Sequence, residues 1–165
     1  MHSNQLMRYF FLCLTLCFTV SSFSQLQKKI DSLYEVYEKA DDPLKKHTVF
    51  YDIGRLYVGV NLDSATSILS QTIAEAKQFK NDSLILKSQL GMALALSRMS
   101  KNDSARYYYS ASEQILKDFQ HSELQKTLYI NRGILFFYER KYDQAGDEFQ
   151  RALDEIGRAS CRERV

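Results

Sequence analysis

The sequence predicts an all-α protein built as a stack of antiparallel helix pairs. Three observations carry that prediction. First, the strings Asp63-Ser64-Ala65, Asp103-Ser104-Ala105 and Asp143-Gln144-Ala145 stand 40 residues apart, and Leu44, Leu84 and Leu124 keep the same spacing, as do Phe79 and Phe119. A fixed period of this length marks one supersecondary unit stacked on copies of itself. Second, apolar residues recur within each period at the three- and four-residue steps of a helix. Third, one proline and six glycines in 165 residues leave few breaks for a strand-and-turn fold.

The first 24 residues stand apart. Arg8 precedes an apolar run from Tyr9 to Val20, and Ser22-Phe23-Ser24 follows. A positive charge, a short apolar stretch and small residues two apart predict a secretory signal peptide, residues 1–24, cleaved before Gln25. The run is shorter than the roughly 20 residues of a bilayer span. Cys13 and Cys17 fall inside this signal and Cys161 near the C-terminus, so the body has no cysteine for a disulfide or a thiolate metal site. Residues 25–41 predict one amphipathic capping helix, with Ile30, Leu33, Tyr34 and Tyr37 on one face.

Three helix pairs should follow over residues 42–155, at 42–81, 82–121 and 122–155. Asp42-Pro43 supplies an N-cap and a proline at the first helical position, and Asn81-Asp82-Ser83 offers similar groups. The first helices carry Phe50, Ile53, Leu56; Leu90, Ala93, Leu96; and Ile130, Gly133, Phe136. The second helices are expected to start at the Asp-x-Ala strings, capped by the aspartates. Their inner faces read Ala65, Leu69, Thr72; Ala105, Tyr109, Ser112; Ala145, Phe149, Ala152. A small, a large and another small side chain let two helices approach while the large one fills the gap beside them.

This pattern resembles the tetratricopeptide repeat. Tyr129, Gly133 and Phe136 match the family's first-helix positions, and Ala145, Phe149 and Ala152 its second-helix positions. Two departures stand out: Arg132 occupies the place of the family leucine, and the period is 40 where the family has 34. HEAT and armadillo repeats, with periods near 40, are the competing reading. The resemblance implies a right-handed superhelical α-solenoid whose groove, lined by the first helices, holds peptides or extended segments. Aligned on that basis, candidate groove residues are Phe50, Tyr57, Lys87, Leu90, Leu94, Arg98, Ile130, Ile134 and Phe137, with His47, Val58 and Tyr138 beside them. The competing reading packs these side chains against neighbouring repeats. The set is mainly apolar and implies an apolar protein or peptide partner, or another part of the same chain. The lattice of lysines and asparagines with which some family members hold a chaperone's C-terminal carboxylate is absent apart from Asn131.

Little else points to chemistry. His47 and His121 have no sequence neighbours at metal-ligand spacing, no phosphate loop appears, and no nucleophile, base and orienting group assemble. No enzyme, metal or cofactor is therefore expected. Between Leu26 and Glu155 there are 18 Lys and Arg against 19 Asp and Glu, a balance that does not suggest a nucleic-acid partner. The Asp-Ser-Ala strings also resemble O-glycosylation signals, although helix starts favour the same residues. Ile156 to Val165 breaks the repeat and resembles a translated sequencing adapter, so it is expected to be an artefact and the chain a fragment. The whole is similar to exported Bacteroidetes arrays. It reads as the periplasmic sensor part of a histidine kinase or helix-turn-helix regulator, or alternatively as a structural adaptor of periplasmic or outer-membrane complexes. Membrane attachment is expected only through the signal peptide or a downstream segment.

Overall fold

A computed structural model describes residues 24–119 and 121–162, with side chains through Arg158. The expected signal peptide, apart from its last residue, and the last three residues lie outside them. Within the described residues the chain is all-helical, with seven helices packed consecutively and no strand. They are α1 (residues 24–39), α2 (Pro43–Tyr57), α3 (Leu62–Gln78), α4 (Asp82–Arg98), α5 (Asn102–Asp118), α6 (Ser122–Tyr138) and α7 (Tyr142–Arg162). None of the described helices is long and apolar enough to cross a membrane.

From α3 onward a new helix begins every twenty residues, at Leu62, Asp82, Asn102, Ser122 and Tyr142. The connectors explain the rhythm. After α3, Lys80 takes φ 52°, its N–H donates to the Lys77 carbonyl, and the next N–H, of Asn81, reaches back to Ala76. Asn81 then caps α4, its side chain accepting from the Leu84 N–H at 3.0 Å. Ser100–Lys101 and Arg140–Lys141 close α4 and α6 with the same pair of backbone bonds. This is the Schellman ending, built here on non-glycine residues in the left-handed region, where L side chains ordinarily cost about 1–2 kcal/mol. One residue thus ends one helix and starts the next, leaving room only for an antiparallel reversal.

The same economy corrects the expected starts of the second helices. Asn61 and Lys101 are the N-caps of α3 and α5, so Asp63 and Asp103 fall inside the first turn. There they face the positive end of the helix dipole without capping it. Lys101 provides no side-chain cap at all. At α2 and α4 the caps sit where the sequence puts them: Asp42 accepts from Leu44 and Lys45 with Pro43 behind it, and Asn81 begins α4.

Packing follows the small–large–small pattern. Ala65, Leu69 and Thr72 on α3, and Ala105, Tyr109 and Ser112 on α5, are all buried, as are Ala145 and Ala152 on α7. Phe149 differs: its ring lies against Gly133 but stays 36 % exposed, because among the described residues α7 packs on α6 alone. A Cβ at Gly133 would come within 2.6 Å of that ring, and one at Gly54 within 2.8 Å of Ile68. Gly54, one position out of register in the sequence, therefore does for α2 and α3 what Gly133 does for α6 and α7. In the middle pair the corresponding position is Ala93, fully buried in the same core cluster as Tyr109. At the N-terminal end, α1 covers α2 through Ile30 against Val49 and Ile53, with Tyr37 stacked on Phe50.

Two regions break the regularity. The pair α5 and α6 share the least contact of any consecutive pair from α2 on, and a cavity of about 410 Å³ opens between them beside α7. At the C-terminus α7 does not stop at Glu155 but runs on to Arg162, longer than the 17 residues of α3 to α6. Glu155 is buried and accepts from Arg158 at 3.3 Å.

These contacts predict opposite effects at two glycines. Gly133→Leu should cost about 1–3 kcal/mol, because Phe149 must be displaced. Gly146→Ala, where nothing lies within 4 Å of the new methyl group, should gain up to about 1 kcal/mol from helix propensity. Thermal unfolding followed by circular dichroism measures both; a Gly133→Leu variant as stable as the parent would contradict the α6–α7 packing.

Candidate functional site

The first helices of the three pairs, α2, α4 and α6, lie side by side and leave a groove of about 570 Å³ between them. Its middle is a strip of α4: Lys87, Leu90, Gly91, Leu94 and Arg98. Tyr51, Arg55, Leu56, Val58 and Gly59 of α2 and its C-terminal end form one wall, and Leu124, Thr127 and Asn131 of α6 the other, with Leu26 of α1 at the margin. The floor is apolar. Leu90 is 2 % exposed and belongs to the main core, so it supports the groove instead of projecting from it, which corrects its expected outward position. Val58 is likewise buried. Arg98 donates from Nη1 to the Val58 carbonyl at 2.9 Å, which ties the end of α4 to the end of α2 across 40 residues of sequence.

Of the nine candidate groove residues, four line this groove: Lys87, Leu90, Leu94 and Arg98. Phe50 faces α1, stacked on Tyr37 at 5.3 Å. Tyr57 is half-buried between the two larger core clusters. Ile130, Ile134 and Phe137 lie elsewhere on α6, and Phe137 meets Tyr142 of α7 edge-to-face with ring centroids 5.7 Å apart. The lining that sequence alignment missed includes Arg55, Gly59 and Thr127 as well as Tyr51 and Gly91; the last two form, with the noted Asn131, a column at 40-residue spacing, one residue beyond Phe50, Leu90 and Ile130. One residue is about 100° of helix rotation, enough to turn a column from the groove into the neighbouring helix. The repeat spacing could have found the column; choosing between adjacent columns required knowing how the helices are rotated.

No family model matches the chain, and no curated protein or solved structure matches it. Its chemistry must be read from its own residues. Among those described, no three His, Cys, Asp or Glu side chains are placed to hold a metal ion.

The interhelical ion-pair networks do not line this groove. Arg132 on α6, where the resemblance would put leucine, reaches Glu148 of α7 with two N–H groups at 2.8 and 3.1 Å and Glu113 of α5 at 3.1 Å. Burial works against the Arg132 charge, but the Glu148 and Glu113 carboxylates overcome it and hold the guanidinium above its ordinary value. Three helices are joined at the place where α5 and α6 otherwise barely touch. Arg106 of α5 makes a second tie, to Glu139 at the end of α6, and Lys141 approaches the same carboxylate at 2.9 Å. Burial would raise the Glu139 carboxyl; the hydrogen bonds from Lys141 and Arg106 outweigh it and hold the group below its ordinary value. Burial pushes the Tyr109 phenol up to about 12, so it stays neutral in the core.

His47 is not the isolated residue its sequence surroundings suggest. Folding brings Glu75 Oε2 to 2.6 Å from its Nδ1 and the Phe79 ring to 4.9 Å. His47 and Phe79 border a second cavity of about 550 Å³ with Leu44, Leu84 and Phe119. His121 caps α6, its Nδ1 accepting from the Leu124 N–H.

Arg132→Leu should cost about 3 kcal/mol, at the low end for a broken buried pair because Arg151 still reaches Glu148. The double variant Arg132→Leu/Glu148→Leu should recover most of that loss, since two packed apolar residues leave no buried charge unpaired. Urea unfolding of the two singles and the double closes the cycle. Glu139 has a pH signature. Its folded-state value lies below the unfolded one, so its contribution is fully present above the ordinary carboxylate range and is lost as the pH falls through the lowered value. Glu139→Gln should flatten the acid limb of stability against pH and leave the limb above neutrality unchanged.

Proposed function

We propose that this protein is a protein-interaction module that holds a segment of another polypeptide in the groove across α2, α4 and α6. One observation carries the reading: the groove has an apolar floor, polar and charged margins, and walls from three successive repeats, the form expected of a site for an extended chain. On this reading the helix pairs are tetratricopeptide-type repeats in a right-handed superhelix. The small-residue contacts at Ala65, Ala105 and Ala145 and the glycine–ring contact at Gly133 support that assignment. The apolar N-terminal run then directs export to the periplasm, and the array serves as the sensing part of a signalling protein.

Peptide display on the purified protein tests the groove. Peptides enriched in this way should lose more than about tenfold in affinity on Thr127→Trp, which fills one wall of the groove, because a blocked pocket removes the central contacts that dominate binding. Gln150→Trp, on the exposed surface of α7, should leave affinity unchanged. Failure to enrich any peptide, or equal binding by both variants, would sink the proposal.

A further inference from the structure

We infer that the groove selects segments in which two carboxylates flank an apolar residue, in the order acid–x–apolar–x–acid; this rests on the interaction reading above. The groove is bordered by three cations, Arg55, Lys87 and Arg98, and no aspartate or glutamate lines it. The arginines that bridge helices elsewhere in the molecule are matched by carboxylates: Arg106 with Glu139, and Arg132 with Glu113 and Glu148. In contrast, no ion pair among the described residues involves Lys87 or Arg98. Arg55 has only Asp52, at 3.9 Å with both side chains largely in solvent, a geometry that contributes little. Arg98 gives one N–H to a backbone carbonyl and keeps its full charge. A body that is nearly neutral overall thus gathers unneutralised positive charge around one apolar trough.

The spacing sets the register. Lys87 and Arg98 lie on one strip of α4, eleven residues apart, about 16 Å along the helix. An extended chain advances about 3.3 Å per residue and presents every second side chain to the same side. Carboxylates four residues apart are therefore about 13 Å apart on one side, and the flexible lysine and arginine stems cover the remainder. The side chain midway between them faces Leu90 and Leu94, which form the apolar floor at that point. Electrostatic complementarity of this kind sets specificity and association rate more than total affinity.

The test uses three fluorescein-labelled octapeptides that differ only in a central Glu-Ala-Leu-Ala-Glu, Gln-Ala-Leu-Ala-Gln or Lys-Ala-Leu-Ala-Lys, read by fluorescence anisotropy on the purified protein. The glutamate peptide should bind about tenfold more tightly than the glutamine one and the lysine peptide most weakly. That preference should shrink as salt rises from about 50 to about 500 mM. Lys87→Gln should remove most of the preference while circular dichroism stays unchanged; Arg55→Gln serves the same purpose if Lys87→Gln folds poorly. Equal binding of the glutamate and glutamine peptides, or a preference that survives both variants, overturns the acidic motif and leaves the groove reading intact. If none of the three binds while displayed peptides do bind in a Thr127-sensitive way, the motif is again wrong and the groove reading stands. If displayed peptides fail as well, both fall.

Discussion

The architecture depends on how little chain separates one helix from the next. Between α3 and α4, α4 and α5, and α6 and α7, three residues suffice: one at the helix end, one in the left-handed region, and one that both closes the old helix and begins the new one. Three residues cannot carry the chain across the stack, so each helix must fold back along its predecessor. Equal connectors and equal helices then yield equal units. The departures support this account. The α2–α3 link is one residue longer, closes without a left-handed residue, and follows a shorter first helix.

Once the helices are forced side by side, their separation is set by which side chains meet. Glycine or alanine opposite a ring or a leucine brings the backbones close, as at Gly54, Ala93 and Gly133. Where α5 and α6 diverge, apolar packing gives way to charge: Arg132 spans the gap to Glu113 and Glu148, and Arg106 to Glu139. The buried pair Arg132–Glu148 locks α6 to α7 and penalises the loss of either partner severely. The ties across the gap each have one exposed partner, Glu113 at 42 % and Arg106 at 39 %, so they orient the last pair on α5 more than they strengthen it.

The groove is a by-product of that geometry with a chemistry of its own. First helices line one side because each connector places them there in turn. Leucines pointing inward make its floor part of the core, so the site is held rigid by the same packing that folds the protein. The cations at its margin have no such structural task apart from the single bond of Arg98 to the end of α2. Charge left unneutralised beside an apolar trough is open to a ligand carrying the opposite sign.

What the sequence determined is what repeats. Period, helix class, the caps at Asp42 and Asn81, and the buried small–large–small faces can be read from residue type and spacing, because local propensity and periodicity depend on near neighbours. The tertiary structure decided what lies between distant residues. It turned Phe50 toward α1 and Leu90 into the core, and brought the column of Tyr51, Gly91 and Asn131 to the groove. It gave His47 its partner Glu75 and explained arginine at position 132 by placing two carboxylates around it. The reason is rotational. A helix offers a new face with each residue, and only the positions of its neighbours decide which face is inside.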